Sequence, residues 1–127
     1  MKKYVKIMPF IAIFLAYSAN AEVALKNSSE IVGVWDVHDE ATSLTAPKKH
    51  TDTVWDVKDD GTIIAESHDK SARVGDTKIT IKYSVEDGKL KKQVAPGREK
   101  YETCTIIEKD DKNMIMHCAY YLYLTRK

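Results

Sequence analysis

Apolar and polar residues alternate without a break over 77–85. Ile79, Ile81, Tyr83 and Val85 fall on one side, and Lys78, Thr80, Lys82 and Ser84 on the other. A period of two marks a half-buried strand, because successive side chains of an extended chain point to opposite faces. Shorter versions of the pattern predict further strands over 31–37, 52–58, 62–67, 71–74, 89–94, 99–108 and 113–125. Tight-turn signals separate most of them: Asp59-Asp60-Gly61, Gly75-Asp76, Glu86-Asp87-Gly88, Pro96-Gly97 and Asp110-Asp111-Lys112. The first connection, 38–50, is longer and polar and reads as a flap over an opening. Residues 22–30 carry no period and read as a loose lead-in. Sequential antiparallel strands leave two open edges unless the sheet closes on itself. The expected fold is therefore all-β, an eight-stranded up-and-down antiparallel barrel.

Three residues predict how the barrel closes. Gly33 lets another group approach the first strand, and Trp35, two positions on, points to the same face. Arg126, at the end of the last apolar run, has the reach to lie across the Trp35 indole as a cation–π contact joining last strand to first.

Composition adds little to this picture, but the chain's beginning and its cysteines add more. Lys2, Lys3 and Lys6 precede an apolar stretch, and Ser18-Ala19-Asn20-Ala21 supplies small residues in an Ala-x-Ala frame. That is the form of a secretory signal peptide over 1–21, with the barrel domain over 22–127. The apolar stretch is shorter than the roughly 20 residues a spanning helix needs, so no stable membrane anchor is expected after cleavage. Without those three lysines the formal charge falls from +1 to −2. Near neutrality with no basic stripe argues against a nucleic-acid partner. An exported chain reaches an oxidising compartment, periplasmic or secreted, where Cys104 and Cys118 can pair. If the 110–112 turn centres on Asp111, these two cysteines face each other across the hairpin, within disulfide reach.

On these residues the chain resembles the lipocalin-like branch of the calycin superfamily. Gly33-Val34-Trp35 and the late Arg126 carry the resemblance. So do the runs Val54-Trp55-Asp56-Val57-Lys58-Asp59-Asp60-Gly61-Thr62 and Tyr83-Ser84-Val85-Glu86-Asp87-Gly88-Lys89-Leu90, which are similar to small bacterial lipocalin-like domains. The Thr-Asp-Tyr signature of central lipocalins does not occur near Ala95 to Arg98. The resemblance implies an eight-stranded barrel that binds a small, mostly apolar molecule, and binding rather than catalysis.

The candidate chemistry follows from which side chains point inward and which connections share an end. Trp35, Trp55, Ile81, Tyr83, Met116 and Tyr120 are the expected ligand-lining residues, with the two tyrosine hydroxyls as polar anchors. Ile79 and Leu122 are expected beside them. Placing Gly33 at the closed end puts connections 38–50, 68–70, 86–88 and 110–112 at the open one. His38, His50 and His68 then share a rim with Asp39 and Asp69, a set suited to zinc or copper, although no cofactor is the first expectation. Met114, Met116 and Cys118 invite a copper(I) reading, but strand alternation turns His117 away and makes core packing the better account. No Gly-x-Ser-x-Gly motif, free catalytic cysteine or phosphate loop is present, so no enzyme is expected. The functional expectation is an exported small-ligand binding protein. The alternatives left open are an envelope protein-binding module, of inhibitor or immunity type, with a filled barrel, and a transition-metal carrier using the rim histidines.

Overall fold

A computed structural model describes residues 22–68 and 75–127. The signal peptide expected over 1–21, the strand expected over 71–74 and Asp69 lie outside the described residues. Eight strands form a closed antiparallel barrel in sequence order: β1 Gly33–Ala41, β2 Lys49–Val57, β3 Thr62–His68, β4 Asp76–Glu86, β5 Lys89–Gln93, β6 Tyr101–Lys109, β7 Asn113–His117 and β8 Tyr121–Arg126. The closing ladder joins β8 to β1, with Trp35 opposite Arg126 and Val37 opposite Leu124. Among the described residues no helix is long and apolar enough to cross a membrane.

The strand count agrees with the sequence reading, but the strands are not the same eight. The run read as one strand over 113–125 is a hairpin, β7 and β8, turning at Cys118–Tyr120, where Cys118 N–H donates to Tyr120 C=O at 2.9 Å. Its alternation hides the turn for a geometric reason. Met116 faces Leu122 and Met114 faces Leu124, so even-numbered residues point inward on both arms. The pattern of the hairpin is therefore that of a single strand, and no glycine, proline or asparagine marks the bend. β3 and β4 pair directly, with His68 opposite Asp76.

That change reassigns the ends. The turns around 87–88 and 110–112 lie at the end of Gly33 and Arg126, not at the opposite end as expected. Connections 42–48, 94–100 and 118–120, with the paired ends of β3 and β4 at His68 and Asp76, make up the open end.

The lead-in is not loose. Val23 forms a bridge with Ile106, Leu25 N–H donates to Gly88 C=O at 2.9 Å, and a single 3-10 turn follows at Ser28–Glu30, capped by Asn27. Leu25 and Ile31 are buried with the core. Three apolar residues spread over nine positions have no strand or helix period, which is why the pattern missed a plug.

The β6–β7 hairpin carries the disulfide. Thr105 faces His117 and Ile106 faces Met116, and a bulge between Ile106 and Glu108 shifts the register beyond them. The register expected from a turn centred on Asp111 thus holds where the cysteines sit. Cys104 and Cys118 are bonded, with Cα atoms 4.3 Å apart.

Candidate functional site

The closed end is a set of contacts built over the fully buried Trp35. Gly33 has φ +136°, a backbone conformation L side chains rarely adopt, and a Cβ there would stand 2.5 Å from Arg126 Nη1. The space belongs to the guanidinium, whose carbon lies 4.2 Å from the centre of the Trp35 ring. Arg126 Nη1 donates to Val32 C=O at 2.8 Å, Nη2 to Glu30 C=O at 3.2 Å, and Nε to Asp111 C=O at 3.1 Å. Trp35 Nε1 donates to Ile31 C=O at 2.8 Å. One planar cation therefore joins the 3-10 turn, the start of β1, the β6–β7 turn and the last strand. Trp35, Ile63, Ile106, Leu90 and Leu124 pack fully buried behind it.

Toward the other end the inward positions open. On β4 the ladder places Ile79 opposite Ala65 and Ile81 opposite Ile63, so Ile79 points inward with Ile81. Ile81 is buried, yet Ile79 remains 39% exposed. Thr53, Ala65, Ser67 and Leu122, also inward by register, are only half-buried. Thr53 and Ser67 hydroxyls meet at 3.0 Å across β2 and β3.

An ion pair sits on the same inner face. Tyr83 pairs with Lys92 and Lys92 with Glu102, so these three side chains share the face of the buried Tyr83. Lys92 Nζ lies 2.6 Å from Glu102 Oε2 and 5.6 Å from the centre of the Trp55 ring. The Lys92 side chain is 12% exposed and that of Glu102 29%. Backbone pairing between β4 and β5 spans only Tyr83–Glu86 on β4. Beyond it the buried Gln93 side chain bridges the walls, accepting from Lys82 N–H at 2.8 Å and donating to Arg98 C=O at 3.0 Å. The sequence reading overlooked Lys92 and Glu102 because charged side chains were read as outward, whatever their parity. The signal was present: Lys92 shares its parity with Leu90, and Glu102 shares its parity with Cys104 and Ile106.

The residues singled out from sequence fall in several places. Trp55 and Ile81 line the interior between the packed half and the open half, and Met116 is fully buried beside the disulfide. Trp35 belongs to the closed-end clasp. Tyr83 is inward, but its hydroxyl donates to Lys58 C=O at 2.5 Å, and burial holds its pKa above the usual phenolic value. That hydroxyl is engaged at the closed end rather than offered to the interior. Tyr120 is not inward at all; it stands in the β7–β8 turn, 50% exposed.

The three histidines do not come together. A bulge between Val37 and Asp39 breaks the alternation of β1 and turns Asp39 to the outer wall that His38 already faces. There His38 Nδ1 meets Asp39 Oδ2 at 2.7 Å and Nε2 meets Thr125 Oγ1 at 3.0 Å, while His50 Nδ1 is 4.0 Å from Asp39 Oδ1. His68 is paired separately with Asp76, at 3.1 Å. Among the described residues no group of three or more His, Cys, Asp or Glu is set to hold a metal ion. Met114 and Met116 are core residues, and His117 stacks on Tyr121 outside the barrel at 4.0 Å.

A cleft of about 610 Å³ runs along the outer wall past Thr62, Lys82, Ser84, Glu86, Lys91 and Tyr101. Its acid is already occupied, since Glu86 accepts from Ser84 at 2.7 Å and Lys91 at 3.1 Å. The interior pair is the more distinctive chemistry.

No protein-family model matches the chain, and no curated protein matches it. Among solved structures, a lipocalin-like protein from Bacteroides uniformis superposes with a TM-score of 0.63 at 12% identity, covering 77% of this chain and 99% of that one. The fold is lipocalin-like. Within the lipocalin-like barrel, the Gly33, Trp35 and Arg126 cluster is the closed end and the Lys92–Glu102 pair faces the interior.

Proposed function

We propose that this lipocalin-like barrel is an exported binding protein that takes a small, mostly apolar molecule into the open half of its interior. The observation that carries the reading is the burial gradient along one inner face. Ile81 is buried while Ile79, two residues on and pointing the same way, stays 39% exposed. Ile79 does not stand alone: Thr53, Ala65, Ser67 and Leu122, inward by register, are likewise only half-buried, so the opening extends over several strands of one inner surface. Trp55 and Ile81 supply apolar wall, and a few polar groups stand among them, the composition expected of a small-molecule site. Export is supported by the Cys104–Cys118 bond, which persists in oxidising compartments.

The test is native mass spectrometry of the exported protein, set beside a denatured control. The expected result is added mass of an organic molecule that disappears on denaturation. A bare mass in every preparation, with no thermal shift across a library of small apolar compounds, overturns the reading.

A further inference from the structure

We infer that the bound molecule is uncharged and planar and carries a hydrogen-bond donor beside an acceptor, as a lactam or cyclic imide does. The inference rests on the ligand reading above and concerns what the Lys92–Glu102 pair recognises.

An ion pair inside a barrel needs a reason beyond stability. Desolvating two charges offsets most of their attraction, and apolar residues of similar volume often serve the fold as well or better. Here the pair lies beside Trp55 on an inner face that carries the buried Ile81 and, toward the open end, the half-buried Thr53, Ser67 and Leu122. Its hydrogen bonding is incomplete. Among the described residues Lys92 Nζ donates only to Glu102 Oε2, and Glu102 accepts from no other group. An ammonium has three N–H donors and a carboxylate several acceptor positions. The pair thus presents spare donors and a spare acceptor side by side.

Charge decides the class of partner. The pair is neutral as a unit. An anionic head group would set a second negative charge beside Glu102, and a cationic one a second positive charge beside Lys92. A neutral N–H and C=O edge satisfies both members and adds no charge. Trp55 supplies the complementary apolar surface, and a flat ring gains most from an indole wall.

Three probes of matched size separate the possibilities: 2-quinolinone (a lactam), naphthalene and 2-naphthoate, each titrated calorimetrically into the folded, disulfide-bonded protein. The expected result is a lactam affinity about tenfold above both others, the scale of one well-formed polar contact. In K92M/E102L the lactam is expected to fall to the level of naphthalene, whose own affinity stays unchanged. Should that variant fail to fold, K92M/E102Q removes both charges and the Lys92 donors, and is expected to cut the preference more than about threefold. Equal or tighter binding of naphthoate, or a preference that survives in the variants, overturns the inference and leaves the ligand reading intact. Failure of the lactam to bind overturns the inference, whatever the other two probes do; the ligand reading is decided separately by the native mass spectrum and the compound library.

Discussion

The two ends of this barrel use the same alternation to opposite effect. At the closed end the inward residues are sealed: Trp35 is covered by Arg126, and the guanidinium hands its donors to three backbone carbonyls. At the open end inward residues of the same strands meet water, and the polar groups among them are only partly satisfied. The period of two says which side of the wall a residue faces; it does not say how far along the barrel the packing stops. Stability should therefore be concentrated at one end and binding at the other.

The largest expected effect tests the sealed end. Trp35→Ala removes a fully buried indole and the surface on which Arg126 rests, and is expected to cost about 4 kcal/mol in urea unfolding. Ile79→Ser, at an inward but exposed position, is expected to stay within about 0.5 kcal/mol of the parent. Comparable losses from the two would erase the contrast between the ends.

Replacing both cysteines comes next. Cys104 and Cys118 close a loop with a sequence separation of 14 and tie β6 to the β7–β8 turn at the open end. In the chain-entropy model C104A/C118A costs about 3 kcal/mol, read from the same unfolding curves. The bond anchors the open side, so the variant should also raise hydrogen exchange there more than at the closed end. Uniform exchange through the barrel would show that the open half has no separate stability.

Gly33→Ala is expected to cost about 2 kcal/mol, from its left-handed backbone and the collision with Arg126 Nη1. Adding R126A separates the two causes. It removes the collision and leaves the backbone strain, so the double variant should lose less than the sum of the singles. Strict additivity would mean that the guanidinium is not seated against this glycine.

How much of this was legible in the sequence depends on what each signal measures. Gly33, Trp35 and Arg126 were readable because close approach demands a glycine, and a planar cation over an indole demands an arginine. Cys104 and Cys118 were readable because a hairpin's register follows from its turn. The β7–β8 hairpin was not, since Ala119 sits at its centre and leaves the parity of Met116 and Leu122 unbroken. His38 was misplaced because β1 runs on through polar residues to Ala41, so His38 lies on the strand rather than at the rim. The bulge, which leaves no mark in the alternation, then turns Asp39 to the same outer wall. Lys92 and Glu102 were missed through a bias in residue type: charged side chains read as outward even when their parity says inward.

The interior pair gives a smaller stability effect and a sharper comparison. Exchanging it in K92M/E102L should leave stability within about 1 kcal/mol of the parent, or above it, since the desolvation cost of both ions disappears. A loss as large as that of Trp35→Ala would make the pair a structural element and place it with the closed end.

The smallest effect is a titration, and it too divides the ends. Asp76 bonds to His68 and, by that hydrogen bond first and its charge second, holds the imidazole pKa above the ordinary 6.5, against a smaller opposing effect of burial. A histidine whose folded pKa is raised contributes stability that is fully present below 6.5 and is lost as pH rises through the folded value. At the closed end Asp110 behaves in the reverse sense. It accepts from Asn113 N–H and Lys112 N–H, which holds its pKa below 3.8, so its contribution is present above 3.8 and is lost only as pH falls through the folded value. Raising pH through the histidine range should therefore loosen the β3–β4 mouth and leave the Arg126 clasp untouched. Proton NMR of the His68 imidazole is expected to give a midpoint above 6.5 that moves down in Asp76→Asn, since that hydrogen bond and charge are the largest causes of the shift. A midpoint unchanged by that substitution would mean that His68 and Asp76 do not hold the mouth together, and the open end would then be looser still than its burial implies.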